Sequence, residues 1–250
     1  MILAIDAGNT RVKWGWWESG RGAQMIWRSV GALAHDEIDR LVPAICGAVD
    51  VDGRPLAPER VIVACVAGVV ARHAIAEAIA RWPVSAEWIE PTASRAGVVN
   101  GYDEPQRLGS DRWAALIGAW GRYAAPCVVV NCGTATTIDR LDAGGRFVGG
   151  MIMPGLSLMK RSLQQNTARL GLTEGRYTEM PRNTADAIET GCIAAQLGAI
   201  QWARSRADTD ARCVISGGAA SVLAPHLAAA DRCDFIEHLT LEGLIRMATE

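Results

Sequence analysis

Two segments of this sequence, 125 residues apart, carry the same local pattern, and that repeat limits what the chain can fold into. The first is residues 1–17, MILAIDAGNTRVKWGWW. A short apolar run, Ile2 to Ile5, reads as a buried strand that ends on Asp6, turns through Ala7-Gly8-Asn9-Thr10 and resumes as a second strand from Val12. The second segment starts with the apolar run Cys127 to Val130 and passes through Asn131-Cys132-Gly133-Thr134 into a second strand ending near Asp139. A turn at 142–145 leads to a third strand over 146–151. Asp6 corresponds to Asn131 and Gly8 to Gly133, half a chain length apart in 250 residues. The pattern predicts an internal duplication, a fold of two similar halves.

An acid at the end of a buried strand, followed by a glycine turn with amide and hydroxyl side chains, suits a phosphate–metal site. The carboxylate can hold Mg²⁺, and the glycine lets backbone N–H groups approach phosphate oxygens. Lys13 adds positive charge nearby. The same residues also make an ordinary tight hairpin with an asparagine turn. The motif alone leaves both readings open.

Composition narrows the class. Half the residues are hydrophobic, enough for a sizeable core, and the net charge of −2 gives no electrostatic basis for binding nucleic acid or an anionic membrane. Only Lys13 and Lys160 are lysines, so the arginine excess reads as compositional bias. Seven cysteines with no C-x-x-C pair fit reduced thiols in the cytoplasm better than a disulfide framework or a zinc site. The four histidines, at 35, 73, 226 and 238, have no metal-ligand spacing. The chain enters a strand without a basic leader, so no signal peptide is expected. No apolar run approaches the roughly 18 residues of a membrane span.

Between the repeated segments, residues 25–30 read as a third strand and 34–46 as a helix with Ile38, Leu41, Val42 and Ile45 on one face. Residues 60–66 read as a buried parallel strand, 70–82 as a helix closed by Pro83, and 86–90 as a short strand. The first half is thus β-β-β-α-β-α-β, followed by an irregular stretch over 93–108 and a helix over 113–123 whose tryptophans are core packing. In the second half, helices are expected over 154–169, 184–204 and 240–249, with strands over 212–215 and 235–237. Ser216-Gly217-Gly218-Ala219 reads either as a surface for a flat ligand such as a nucleobase or as a plain strand-to-helix turn.

Four motifs then stand in one order: D-A-G-N-T-R-V-K at 6–13, G-S-D-R at 109–112, N-C-G-T-A-T-T-I-D at 131–139 and N-T-A-D-A-I-E-T-G at 183–191. Together they resemble type III pantothenate kinase, also called the Bvg accessory factor family. The likeness extends to V-A-C-V-A-G (63–68), G-G-M-I-M-P-G-L (149–156) and I-S-G-G-A (215–219). It implies the acetate and sugar kinase, Hsc70 and actin superfamily: an α/β fold of two ribonuclease H-like domains, with the active site in the cleft between them. The domains are drawn at 1–112 and 113–250, the last helix crossing back to the first.

The resemblance implies transfer of phosphate from ATP to pantothenate, the first step of coenzyme A synthesis, in a cytoplasmic homodimer. Carried over by motif, the ATP-binding residues are Asp6, Ala7, Gly8, Asn9, Thr10, Arg11, Val12, Lys13 and Thr134, with Asp6 acting on Mg²⁺ through water. Pantothenate is assigned to Tyr102, Gly109, Ser110, Asp111, Arg112 and Thr184, with Asp111 as general base. A positioned carboxylate suits that role, because a primary hydroxyl is a poor nucleophile until its proton has an acceptor. Asp111-Arg112 would otherwise read as a helix cap and a surface ion pair.

One position departs from the family pattern. Asn131 stands where relatives often carry an aspartate that helps hold potassium or ammonium. An amide keeps the oxygen and loses the charge, so weak or absent activation by a monovalent cation is expected. Two other functions stay open at this point: a kinase or phosphohydrolase of the same superfamily with another substrate, and a regulatory protein without catalysis. The intact carboxylates and the lack of a recognisable DNA-binding helix pair weigh against the latter.

Overall fold

The first half builds an antiparallel meander and then adds parallel strands. The meander is β1 (Ile2–Ala7), β2 (Arg11–Trp17) and β3 (Trp27–Ala34); the parallel strands are β4 (Arg60–Cys65) and β5 (Ala86–Trp88). The order is β3-β2-β1-β4-β5. Helix α1 (Leu41–Cys46) joins β3 to β4, and α2 (Val69–Ile79) joins β4 to β5. Leu3 and Ile5 of β1 and Val61 and Val63 of β4 pack with Ile45 and Ile75 of the two helices in one buried core. These coordinates are a computed structural model, and they describe residues 1–18, 25–166, 174–227 and 233–250.

Two local expectations shift for physical reasons. The third strand runs over 27–34 and not 25–30, because β2 offers it partners as far as the Arg11–Ala34 pair. The helix expected over 34–46 is broken: His35–Arg40 is a 3₁₀ turn with Glu37 out of helical geometry (φ −109°, ψ 16°), and α1 begins only at Leu41. That restart puts Pro43 in the first turn of α1, where its missing N–H has no intrahelical partner to lose.

The stretch at 93–108 is a small hairpin and a turn. Strands β6 (Ser94–Arg95) and β7 (Val98–Asn100) pair antiparallel through Ala96 and Gly97, both at positive φ (47° and 79°). Two such residues suit a tight hairpin turn. A 3₁₀ turn at Pro105–Arg107 leads into α3 (Ser110–Tyr123). Trp113, Leu116 and Ile117 of α3 are fully buried, as the helical spacing predicts.

The second half repeats the first. Strands β8 (Cys127–Cys132), β9 (Ala135–Leu141) and β10 (Arg146–Pro154) form the meander. Helix α4 (Leu156–Asn166), the long α5 (Thr184–Arg204), β11 (Arg212–Ser216), the short α6 (Ala220–Leu223) and β12 (Cys233–Phe235) follow. The order β10-β9-β8-β11-β12 matches that of the first half strand for strand, with the same parallel and antiparallel pairs. Residues 167–169 of the helix expected over 154–169 lie outside the described residues.

The last helix, α7 (Leu239–Ala248), belongs to the first half and packs along α3. Glycines make that approach close: a Cβ on Gly243 would collide with the Ala114 carbonyl oxygen, and one on Gly118 with that of Leu239. The compact units are therefore residues 1–123 with 238–250, and residues 124–237. The sequence division at 112/113 would cut α3 between Arg112 and Trp113, inside the packed helix. Among the described residues no helix is long and apolar enough to cross a membrane.

Candidate active site

Asp6 is the penultimate residue of β1, and β4 covers its other side. Its carboxylate is buried, and Oδ1 has no hydrogen-bond partner. Burial is the main cause that raises its pKa from the ordinary 3.8 to about 7; Lys13 opposes the rise and Asp111 adds to it. Lys13 faces Asp6 directly across the β1–β2 pair, which puts both side chains on one face of the sheet. A buried carboxylate oxygen without a partner is rare unless something else satisfies it. An unsatisfied carboxylate oxygen at this position fits a hydrated divalent cation beside a phosphate.

The turn after Asp6 closes through Gly8 N–H donating to the Arg11 carbonyl (3.0 Å). A Cβ on Gly8 would meet only that oxygen, at an ordinary 3.6 Å, so nothing within the chain requires glycine there. Asn9, Thr10 and Arg11 are exposed. His35, at the end of β3, reaches back to this turn, with Nε2 2.7 Å from the Gly8 carbonyl oxygen.

Asp111 sits in the first turn of α3, where helix N–H groups favour a carboxylate, and its Oδ1 accepts from the Arg112 N–H (2.8 Å). Gly109 makes room for it: a Cβ there would lie 2.6 Å from that same oxygen. Ser110 is buried, and its hydroxyl has no partner. The Arg112 side chain is buried as well, its guanidinium 5.8 Å from the centre of the Tyr102 ring, within cation–π range. Residues 6, 13, 102 and 109–112, spread over a hundred positions of sequence, thus lie in one compact unit, and Asp6 and Asp111 are close enough to influence each other electrostatically.

In the second unit the equivalent turn is one residue shorter. Gly133 N–H donates to the Ala135 carbonyl (3.1 Å), and a Cβ on Gly133 would sit at an ordinary 3.5 Å from that oxygen. Asn131 takes the place of Asp6 and faces Thr137, so the charged pair of the first unit is neutral here. The Thr134 carbonyl accepts from Gly155 N–H (2.9 Å), and a Cβ on Gly155 would strike the backbone of Gly133 and Thr134. Gly217 (φ +100°) lies against the Cys132 backbone and has no space for a side chain, whereas Gly218 is open. Thr184 is the exposed first residue of α5, whose N-cap Asn183 accepts from Asp186 N–H (2.9 Å).

A family model described as type III pantothenate kinase matches residues 2–206. A protein of that name from Dechloromonas aromatica is 45% identical over 249 residues, 99% of each chain. The chain belongs to the type III pantothenate kinase family. Among solved structures, a protein described as a Baf family transcriptional activator from Campylobacter jejuni aligns with a TM-score of 0.65 at 20% identity, covering 99% of this chain and 97% of that one. One described as a 2-dehydro-3-deoxygalactonokinase from Sinorhizobium meliloti gives 0.52 at 12% identity, covering 100% and 97%. At such identities these likenesses concern the fold alone, an α/β architecture of two ribonuclease H-like domains.

Each motif quoted for the family thus has a definite place in this pantothenate kinase family fold. The first covers the β1–β2 turn, the second the start of α3, the third the β8–β9 turn and the fourth the start of α5. His35 escaped the sequence reading because its partner is a backbone carbonyl 27 positions away. The neutral Asn131–Thr137 pairing needed the strand register, which the turn length offsets by one residue. Among the described residues no group of three or more His, Cys, Asp or Glu could hold a metal by itself, so a metal here would share its coordination with a ligand or water.

Proposed function

We infer that this chain transfers the γ-phosphoryl group of ATP to the primary hydroxyl of pantothenate, releasing ADP and 4′-phosphopantothenate at the entry to coenzyme A synthesis. The observation that carries this reading is the full-length match to a type III pantothenate kinase at 45% identity. The electrostatic proximity of Asp6 and Asp111 in one unit supports a chemistry for it.

In this reading Asp111 is the general base. It takes the hydroxyl proton as the oxygen bonds to the γ-phosphorus and the bond to the bridging oxygen of ADP breaks. Such a base contributes roughly 10²–10⁴ in rate. Asp6 holds Mg²⁺ through water, and the ion when bound neutralises charge on the β- and γ-phosphates. Backbone N–H groups of Asn9 and Arg11, the Lys13 ammonium and Thr134 bind the phosphates. Tyr102, Gly109, Ser110, Arg112 and Thr184 hold pantothenate, with the guanidinium available to fork onto its carboxylate. With Asn131 in place of an acid, a monovalent cation binds weakly. The protein works as a cytoplasmic homodimer without nucleic acid, in keeping with its seven free thiols and near-neutral charge.

The test is ADP release by purified protein with ATP and Mg²⁺, with and without pantothenate, with product mass measured in parallel. Pantothenate-dependent ADP with a phosphopantothenate product is expected. ADP formed equally without pantothenate would point to a phosphohydrolase. A folded protein releasing no ADP would favour the regulatory role.

A further inference from the structure

We propose that His35 is a positioning residue for the first phosphate loop, clamping the Gly8–Thr10 turn so that its amides stay presented to the nucleotide phosphates. The clamp has two arms. The His35 ring nitrogen Nε2 lies 2.7 Å from the Gly8 carbonyl oxygen, and the His35 backbone N–H donates to the Thr10 carbonyl oxygen (3.1 Å). A carbonyl only accepts, so Nε2 is the donor. Every peptide here is trans. A planar trans peptide holds its C=O and the following N–H in opposite directions. Fixing the carbonyls of Gly8 and Thr10 toward His35 therefore turns the N–H groups of Asn9 and Arg11 away from it.

The turn is also closed by Gly8 N–H donating to the Arg11 carbonyl (3.0 Å), while the side chains of Asn9 and Thr10 are exposed. Without the imidazole, the Gly8–Asn9 peptide loses the bond to its carbonyl, and glycine's wide conformational range leaves it easier to turn. His35 is well placed to prevent that. It is half-buried, directly follows β3, and opens the 3₁₀ turn that interrupts the expected helix. The second unit has a two-residue turn, Gly133-Thr134, and meets the same need differently, with Gly155 N–H donating to the Thr134 carbonyl (2.9 Å). One turn is braced by a side chain and the other by backbone.

This inference rests on the reading of residues 6–13 as a nucleotide-phosphate loop. The experiment is to titrate wild type, His35→Ala and His35→Gln with a non-hydrolysable ATP analogue by calorimetry, and to measure KM for ATP and for pantothenate. Glutamine restores a donor at the position of Nε2. For His35→Ala we expect the analogue Kd and KM for ATP to rise about five- to tenfold, the value of roughly one hydrogen bond, with KM for pantothenate within about twofold of wild type. We expect His35→Gln to recover most of that loss. Unchanged analogue binding in His35→Ala overturns the proposal, as does a glutamine variant no better than alanine. The circular dichroism melt of His35→Gln checks that any loss is not unfolding. If wild type binds the analogue but does not phosphorylate pantothenate, the proposed function fails, while the binding arm still decides the role of His35.

Discussion

The two units of this protein share one backbone plan and diverge in chemistry at equivalent places. At the end of β1 stands a buried acid facing a lysine; at the end of β8 stands a half-buried amide facing a threonine. The first turn has three residues between its strands and is held by a histidine, while the second has two and is held by Gly155. After the parallel strand, the first unit reads Val66-Ala67-Gly68 and the second Gly217-Gly218-Ala219, with Gly217 pressed on Cys132. A duplicated scaffold can thus keep its topology through core positions while only one copy concentrates ionisable groups. Both carboxylates of the proposed reaction lie in the first unit.

The largest effect that separates the units should come from Asp111→Asn. We expect kcat to fall about 10²- to 10⁴-fold while the melting temperature and ATP binding stay near wild type. Near-normal turnover would remove Asp111 as the base and dissolve the asymmetry.

Next comes Asp6→Asn. The Mg²⁺ concentration for half-maximal activity should rise about tenfold or more, a loss of roughly one unit of charge on the ion. The same variant has a stability signature. Because folding raises the pKa of Asp6 from 3.8 to about 7, the folded state pays for ionising it; the penalty grows as pH rises from about 4 to 7 and is complete above that. In EDTA the variant should therefore be more stable than wild type at pH 8, and the difference should shrink toward pH 5. A constant difference across that range would mean that Asp6 is not the group that titrates.

Glycine substitutions sharpen the contrast between function and packing. Gly155→Ala must displace the backbone of Gly133 and Thr134, so a loss of about 1–3 kcal/mol in urea unfolding is expected, the usual cost of overpacking. Gly8→Ala has room, so its stability should stay within about 1 kcal/mol of wild type while KM for ATP rises. If both variants lose stability equally, the turn at Gly8 is structural. The smallest effect is expected from Asn131→Asp. It restores the charge of the first unit to the second and should make turnover a few-fold more responsive to potassium over a choline control. Strong potassium activation of the wild type would contradict the neutral reading of that position.

Much of this was legible in the sequence. The strand–turn–strand repeat follows from short apolar runs ending at glycine turns, and the helix over 184–204 and the apolar face of α3 from a period of 3.6 residues, all of which depend only on neighbours along the chain. The duplication could be read because Asp6-Ala7-Gly8 and Asn131-Cys132-Gly133 keep their order on matching strands. The broken helix at 35–46 was hidden by apolar spacing that overrode the signal of Pro43. The compact units part at 123/124 and not at 112/113, because no local feature of α3 says on which side its buried face will pack.

By itself, the sequence determined the elements, the repeated order of strands and the residue types gathered in each motif, since these rest on local geometry and on burial of apolar runs. Tertiary structure alone decided that Asp6 and Asp111 lie within electrostatic reach of each other, that His35 reaches Gly8, and that α7 returns to α3 across glycines 118 and 243. Those placements join residues 27 to more than a hundred positions apart. They arise from how sheets and helices close over a shared core, where side-chain volume, strand register and a missing Cβ select one packing among many that the local pattern would allow.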